Sequence, residues 1–260
     1  MAITHIETIL GADGSATAIT STTASFTTAR SGFVCGLFVD LGSTNALTSV
    51  TDDQSNTYSL VTPITDSTNN GVIQLFYKEN VTSVTTVTAH FTSSSQVRVA
   101  ISNYTGIATA SAIDGNTGQV QTTPGTGANI ITTGTFTPTA NGDLIYGGCS
   151  QAFGGAIVYT AGTSPNAFTQ RASNLSTDND TLFTEEFIQT TAASIAATMG
   201  QSSNVTTISA VAAFKAAVSG TAPVVSKIID LPFPAFRPDR SYIYTKPIIN
   251  NQVLFSQILT

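Results

Sequence analysis

Along most of this chain apolar and polar residues alternate in short runs, and clusters of Gly, Asn, Asp and Ser break the runs at regular intervals. That pattern predicts strands joined by turns. The expected strands in the first half are Thr4–Leu10, Ala18–Thr28, Gly32–Leu41, Leu47–Thr51, Thr57–Thr62, Val72–Tyr77, Val84–Phe91 and Val97–Tyr104. GFVCGLFVDL, over 32–41, is almost continuously apolar, as expected of a strand buried on both faces. Residues 111–128, SAIDGNTGQVQTTPGTGA, carry the Gly and Pro of a long loop. After it come Asn129–Phe136, Asp143–Ser150, Ile157–Thr160, Phe168–Ser173, Leu182–Ile188, Ser194–Met199 and Thr206–Ala216. The last is Ala-rich, but Ile208, Ala210, Ala212 and Phe214 alternate with Ser209, Val211, Ala213 and Lys215, which favours a closing strand over a helix. TTASFTTARSGFVCGLFV and ITTGTFTPTANGDLIYGG echo each other, as two halves of a sandwich would. About thirteen strands and no helix predict an all-β, antiparallel β-sandwich of jelly-roll type.

The pattern changes near residue 219. Residues 1–218 read as the sandwich body and 219–260 as an extended, Pro-containing C-terminal arm. The arm holds five of the nine prolines, Pro223, Pro232, Pro234, Pro238 and Pro247. Prolines at this density exclude a regular helix or a central strand. The arm's apolar residues include Ile228, Ile229, Leu231, Phe233, Phe236, Tyr242, Tyr244, Ile248, Leu254 and Phe255, with Arg237 and Arg240 among them. These twelve are the expected assembly residues. Apolar burial alone does not offset the entropy of ordering so long a segment, so the arm must also pair its backbone. SYIYT and NQVLFSQIL each resemble an edge strand, and the arm is expected to dock on a partner surface.

Charge sharpens the division. Charged residues are 9% of the chain, far below the usual quarter, while apolar residues reach 41%, enough for a core. Residues 1–218 carry five cations against thirteen acids, a balance of −8, and the arm carries four against two, a balance of +2. An acidic body is a poor nucleic-acid binder. A basic arm suits an acidic neighbour, another copy of the body included. The N-terminus lacks the basic and apolar regions of a signal peptide, and no run is long enough for a membrane-spanning helix. A Thr/Ser-rich β chain made in a host cytoplasm without an export signal fits a component of a virus particle, so the expected location is the virion.

Candidate chemistry is sparse. Cys35 and Cys149 lie in apolar runs, as buried thiols or one disulfide. His5 and His90 accompany no nucleophile motif. Asp52-Asp53-Gln54-Ser55-Asn56 and Asp178-Asn179-Asp180 offer oxygens to a cation but match no calcium loop, and Asp and Asn shape turns. Glu185 and Glu186 are adjacent on a strand and point to opposite faces, so they cannot flank one glycosidic bond. GTGQVQTTPGTG has no Lys and no helix after it, so it is no phosphate loop. The chain has no Trp, which weighs against a sugar platform. The expectation is no catalytic residue, no metal and no cofactor.

The run from VTDDQSNTYSL to VRVAISNYTGIA resembles a β-sandwich module of phage virion proteins and bacterial surface proteins. The matching residues are Asp52, Asn56, Tyr58, Tyr77, Tyr104 and Gly106. The resemblance covers about residues 17–216 and leaves out the arm. It implies a non-enzymatic structural protein of a bacteriophage particle: a capsid decoration, fibre, collar or tail component. Other virion proteins and copies of itself are the expected partners, with no nucleic acid and no membrane. An adhesin or carbohydrate-binding module, taking a host-surface glycan, is the alternative.

Overall fold

The computed structural model describes residues 2–13, 19–94, 96–151, 157–175 and 181–218, and the C-terminal strand residues 243–245, 248–249, 252–253 and 256–258. The chain divides into two compact units, Met1–Ser219 and Gly220–Thr260. The described residues hold no helix and fold as an all-β, antiparallel sandwich.

The first unit runs through β1 (Thr4–Asp13), β2 (Ile19–Asp40), β3 (Leu47–Asp52), β4 (Ser59–Leu60), β5 (Ile64–Asp66), β6 (Gly71–Ser94), β7 (Val97–Thr105) and β8 (Ile113–Gln121). It continues with β9 (Gly127–Thr132), β10 (Asp143–Gln151), β11 (Tyr159–Ala161), β12 (Thr169–Leu175), β13 (Thr181–Gln189), β14 (Thr198–Gln201) and β15 (Thr207–Phe214). One sheet has the order β1-β7-β2-β6-β3, with β4 and β5 also on β6; a second has β12-β13-β10-β15-β8; a third has β11-β14-β9.

Three cores separate these layers. Phe33, Cys35, Leu37 and Val39 of β2 meet Leu144 and Tyr146 of β10 and Ile208, Ala210, Ala212 and Phe214 of β15 in the core between the two large sheets. The alternate residues of β2, Val34 and Phe38, face a second core with Phe76, Val87 and Phe91. The alternate residues of β10 and β15, Ile145, Cys149, Val211 and Ala213, face a third, closed by Ile131, Tyr159 and Met199 of the three-stranded sheet. Period-two alternation therefore sends side chains from one apolar core into the next. That is why 32–41 reads as continuously apolar, and why all eight residues of β15 are buried. The two echoing segments end in β2 and β10, each third in its own sheet.

Several expected boundaries are corrected. Ala18–Thr28 and Gly32–Leu41 form one strand, the 22-residue β2, apart from Ala18 and Leu41 at their ends. Val72–Tyr77 and Val84–Phe91 are one 24-residue strand, β6, which carries Asn80 and Ser83 at positive φ where its register with β2 shifts. Residues 111–128 are not a long loop. They contain β8 and the start of β9. Gly118 serves close packing: a Cβ there would lie 2.5 Å from Ile64 Cγ1 and 2.6 Å from the Ser209 carbonyl.

In the second unit, β16 (Ile243–Thr245) pairs antiparallel with β19 (Ser256–Ile258), and β17 (Ile248–Ile249) with β18 (Gln252–Val253). These strands lie within the segments expected to be strand-like or next to them, and in the described residues their ladders are with each other.

Candidate functional site

Of the twelve arm residues singled out above, Tyr244 lies in β16 and Ile248 in β17. Ile228, Ile229, Leu231, Phe233, Phe236, Arg237, Arg240, Tyr242, Leu254 and Phe255 lie outside the described residues, as do Asp178, Asn179 and Asp180. The body's exit toward the arm is described: Ala108, Thr109 and Ala110 with Lys215, Ala216, Ala217 and Val218 line an open depression of ≈ 410 Å³. Val218 is 92% exposed there. A second depression, ≈ 330 Å³, is lined by Leu41, Gly42, Thr68, Asn69, Asn70 and Gln96.

The residues that carry the resemblance are structural. Asp52 Oδ1 accepts from the backbone N–H groups of Gln54 at 3.0 Å and Asn56 at 2.9 Å, and the Tyr58 hydroxyl donates to Asp52 Oδ2 at 3.2 Å. The carboxylate shapes its own turn and has little capacity left for a cation. Asp53 ties the same turn to β6. Against the upward push of partial burial, bonds from Thr85 and Thr86 hold its carboxyl down at about 2. Gly106 has φ 81°, and a Cβ there would lie 2.1 Å from the Ala2 carbonyl oxygen.

Cys35 and Cys149 are free, buried thiols. They face different cores, Cys35 between the large sheets and Cys149 beneath the three-stranded sheet, which precludes a bond between them. Burial raises both thiols well above their ordinary values, so neither is a ready nucleophile.

Glu185 and Glu186 do point to opposite faces. Glu185 Oε2 accepts from Gly162 N–H at 2.9 Å, and burial pushes its carboxyl up to about 8. Glu186 pairs with Arg171. His90 Nε2 bonds Thr51 Oγ1 at 3.0 Å.

Folding gathers two polar clusters that no local motif announces. His5 Nε2 bonds Thr8 Oγ1 at 2.7 Å, Thr8 Oγ1 bonds Ser102 Oγ at 2.8 Å, and Ser102 reaches the Tyr146 hydroxyl at 3.4 Å. Burial, and then the Arg171 charge, lower the His5 pKa. Ser102 and Tyr146 have no exposed surface, so this hydroxyl chain reaches the surface only at its half-buried His5–Thr8 end. The second cluster is a row across one end of a large sheet. In register lie Gln189 of β13 and Asp143 of β10, with Lys215, just beyond β15, bonded to Asp114 at a register shift in β8. Asp114 accepts from Thr139 N and Oγ1, both at 2.6 Å, and from Ala140 N at 2.8 Å, and it pairs with Lys215 Nζ at 3.3 Å. Burial and then Asp114 push the Asp143 carboxyl up to about 7. Among the described residues no group of three or more His, Cys, Asp or Glu is placed to hold a metal.

No protein-family model, no curated protein and no solved structure matches this chain.

Proposed function

We propose that this chain is a non-enzymatic structural protein of a bacteriophage particle, attached to its assembly through residues 219–260. The observation that carries the reading is the division of the chain. A three-core β body ends at Ser219, and a separate unit with its own short hairpins follows. The body is acidic and the arm is basic, so the arm of one chain suits the body of another. Asp52, Asp53 and Asp114 bond backbone N–H groups, and Glu186 pairs with Arg171, as in a scaffold.

The test is removal of residues 220–260, followed by measurement of folding and of incorporation into particles or homo-oligomers. The reading expects a folded body, with unchanged far-ultraviolet circular dichroism, that no longer incorporates. A truncated chain that unfolds shows the arm to be part of its own body's core and refutes attachment.

A second reading, an adhesin taking a host glycan, has one observation in its favour. The depression bounded by Thr68, Asn69, Asn70 and Gln96 presents the amide and hydroxyl groups that hydrogen-bond sugars. A glycan array on the intact protein separates the two, because a scaffold gives no signal that Asn69→Ala abolishes.

A further inference from the structure

The first strand carries an inference that is independent of the arm. β1 stands at the end of its sheet, and among the described residues its only ladder is with β7. Two other sheet margins, β3 and β8, are covered. β3 is capped where Tyr58 N–H donates to the Val50 carbonyl at 3.0 Å and Thr51 bridges Thr57. β8 is covered by Gln119 Nε2 donating to the Thr132 carbonyl at 2.5 Å and by Gln121 Oε1 accepting from Thr132 N–H at 2.7 Å. Apart from a bulge between His5 and Glu7, β1 carries little of the usual protection, since THIETILGAD contains no Pro, Lys or Arg. It also holds two of the four exposed large apolar residues of the described chain, Ile6 at 41% and Leu10 at 44%. Ile6 falls at the register shift between His5 and Glu7 and therefore has no partner in β7.

We infer that β1 is a self-association edge, at which two copies of this chain pair their first strands antiparallel about a two-fold axis through Thr8. The sequence of the strand selects this occupant. Centring on Thr8 sets Ile6 opposite Leu10 of the second copy, and Leu10 opposite its Ile6, so the exposed apolar pair covers itself twice. Glu7 then faces Ile9, and its charge is already held by Arg30 at 2.5 Å. Centring on Glu7 instead puts two carboxylates face to face and leaves Ile6 opposite Thr8. Centring on Ile9 leaves Ile6 opposite Ala12. An isologous strand pair alone closes at a dimer, and an arm would give each chain a second contact through which that dimer extends.

Engineered cysteines in the full-length chain test the register, because the native thiols are buried. Directly opposed strand residues bring Cα atoms within disulfide range. Under mild oxidation, a mixture of Ile6→Cys and Leu10→Cys chains is expected to give a covalent dimer, and each variant alone is not. The double variant Ile6→Cys/Leu10→Cys is expected to cross-link by itself. Ile6→Lys/Leu10→Lys, at two exposed positions, is expected to keep the circular dichroism spectrum and to weaken dimerisation at least tenfold in sedimentation equilibrium. A full-length chain that sediments as a 26.8 kDa monomer at micromolar concentration overturns the inference. So does Ile6→Cys cross-linking alone as well as in the mixture. Association that survives the double Lys variant but is lost with residues 220–260 assigns self-contact to the arm and overturns the β1 pairing alone.

Discussion

Glu185 is a carboxyl with no exposed surface, set in the middle strand region of a sheet that is covered on both faces. Its Oε2 accepts one bond, from Gly162 N–H at 2.9 Å, and its Oε1 meets no donor among the described residues. Burial outweighs that one bond and moves the group from 4.5 to about 8. The folded state therefore keeps a proton that the unfolded state has released between those values. Stability from this group is fully present below about pH 4.5, falls as pH rises toward about 8 and is gone above it. At about 1.36 kcal/mol for each tenfold step, the full swing is on the order of 5 kcal/mol.

Glu185→Gln keeps the shape and removes the titration. The amide can still accept from Gly162 N–H, but it buries an N–H group without a partner, at a cost of about 1–3 kcal/mol. At about pH 9 the variant is then expected to be more stable than the parent by roughly 2–4 kcal/mol, and at about pH 4.5 less stable by about 1–3 kcal/mol. Urea unfolding followed by tyrosine fluorescence measures this, since the chain has seven Tyr and no Trp. Parent and variant curves that run parallel across the whole window would show that Glu185 is ionised and hydrated in the fold, and the burial argument would fail.

Asp143 responds in the same direction over a lower window. Its carboxyl stands at about 7 against an ordinary 3.8, so the stability it contributes is present below about pH 3.8 and lost as pH rises through about 7. Asp143→Asn is expected to flatten the pH profile of the thermal midpoint there; an unchanged profile refutes burial and the Asp114 charge as forces that raise this carboxyl. Gly118→Ala is expected to destabilise the body by about 1–3 kcal/mol, because its Cβ meets Ile64 and the Ser209 backbone. Gly125→Ala, where a Cβ has open space, adds only the strain of its positive φ, about 1 kcal/mol, and urea midpoints compare the two.

The fold class and most strands were legible because hydrophobic periodicity is local. GFVCGLFVDL shows burial on both faces without any knowledge of what covers them. What covers them was not legible. The pairing of β2 with β6 joins residues from 32 positions apart, Asp40 with Val72, to 75 apart, Ile19 with Ser94, and the three-stranded layer is assembled from three separated segments. Gly115 and Gly118 misled for a physical reason. Glycine marks turns and close backbone approaches alike, and Pro124 with Gly125 and Gly127 made the turn reading stronger. Two alternating strands were each cut short for the same reason, because polar residues at a bend, such as Ser31 or Asn80, look like a loop. The polar clusters gave no signal at all: His5 and Arg171, or Asp114 and Lys215, become neighbours only through sheet order.

The low charge content follows from this layering. Stacked sheets with three cores leave Phe33–Asp40 of β2, Gly71–Tyr77 of β6 and all of β10 and β15 no solvent face on which Lys and Glu could be placed. Polar side chains there must be short or amidic and must find backbone partners. Gln74 accepts from Leu47 N–H at 2.9 Å and donates to the Val61 carbonyl at 2.7 Å, stitching two connections to β6. Asn103 donates to the Phe33 carbonyl at 2.9 Å, and Gln201 to the Gly125 carbonyl at 2.8 Å. These amides do inside the body what backbone ladders cannot do where strands bulge or end. The Asn and Gln that suggest a solvated surface in the sequence are therefore partly interior. Among the buried carboxyls of the described residues, Glu185 and Asp143 are pushed up to about 8 and about 7, and that is why these two are the sharpest tests of the layered architecture.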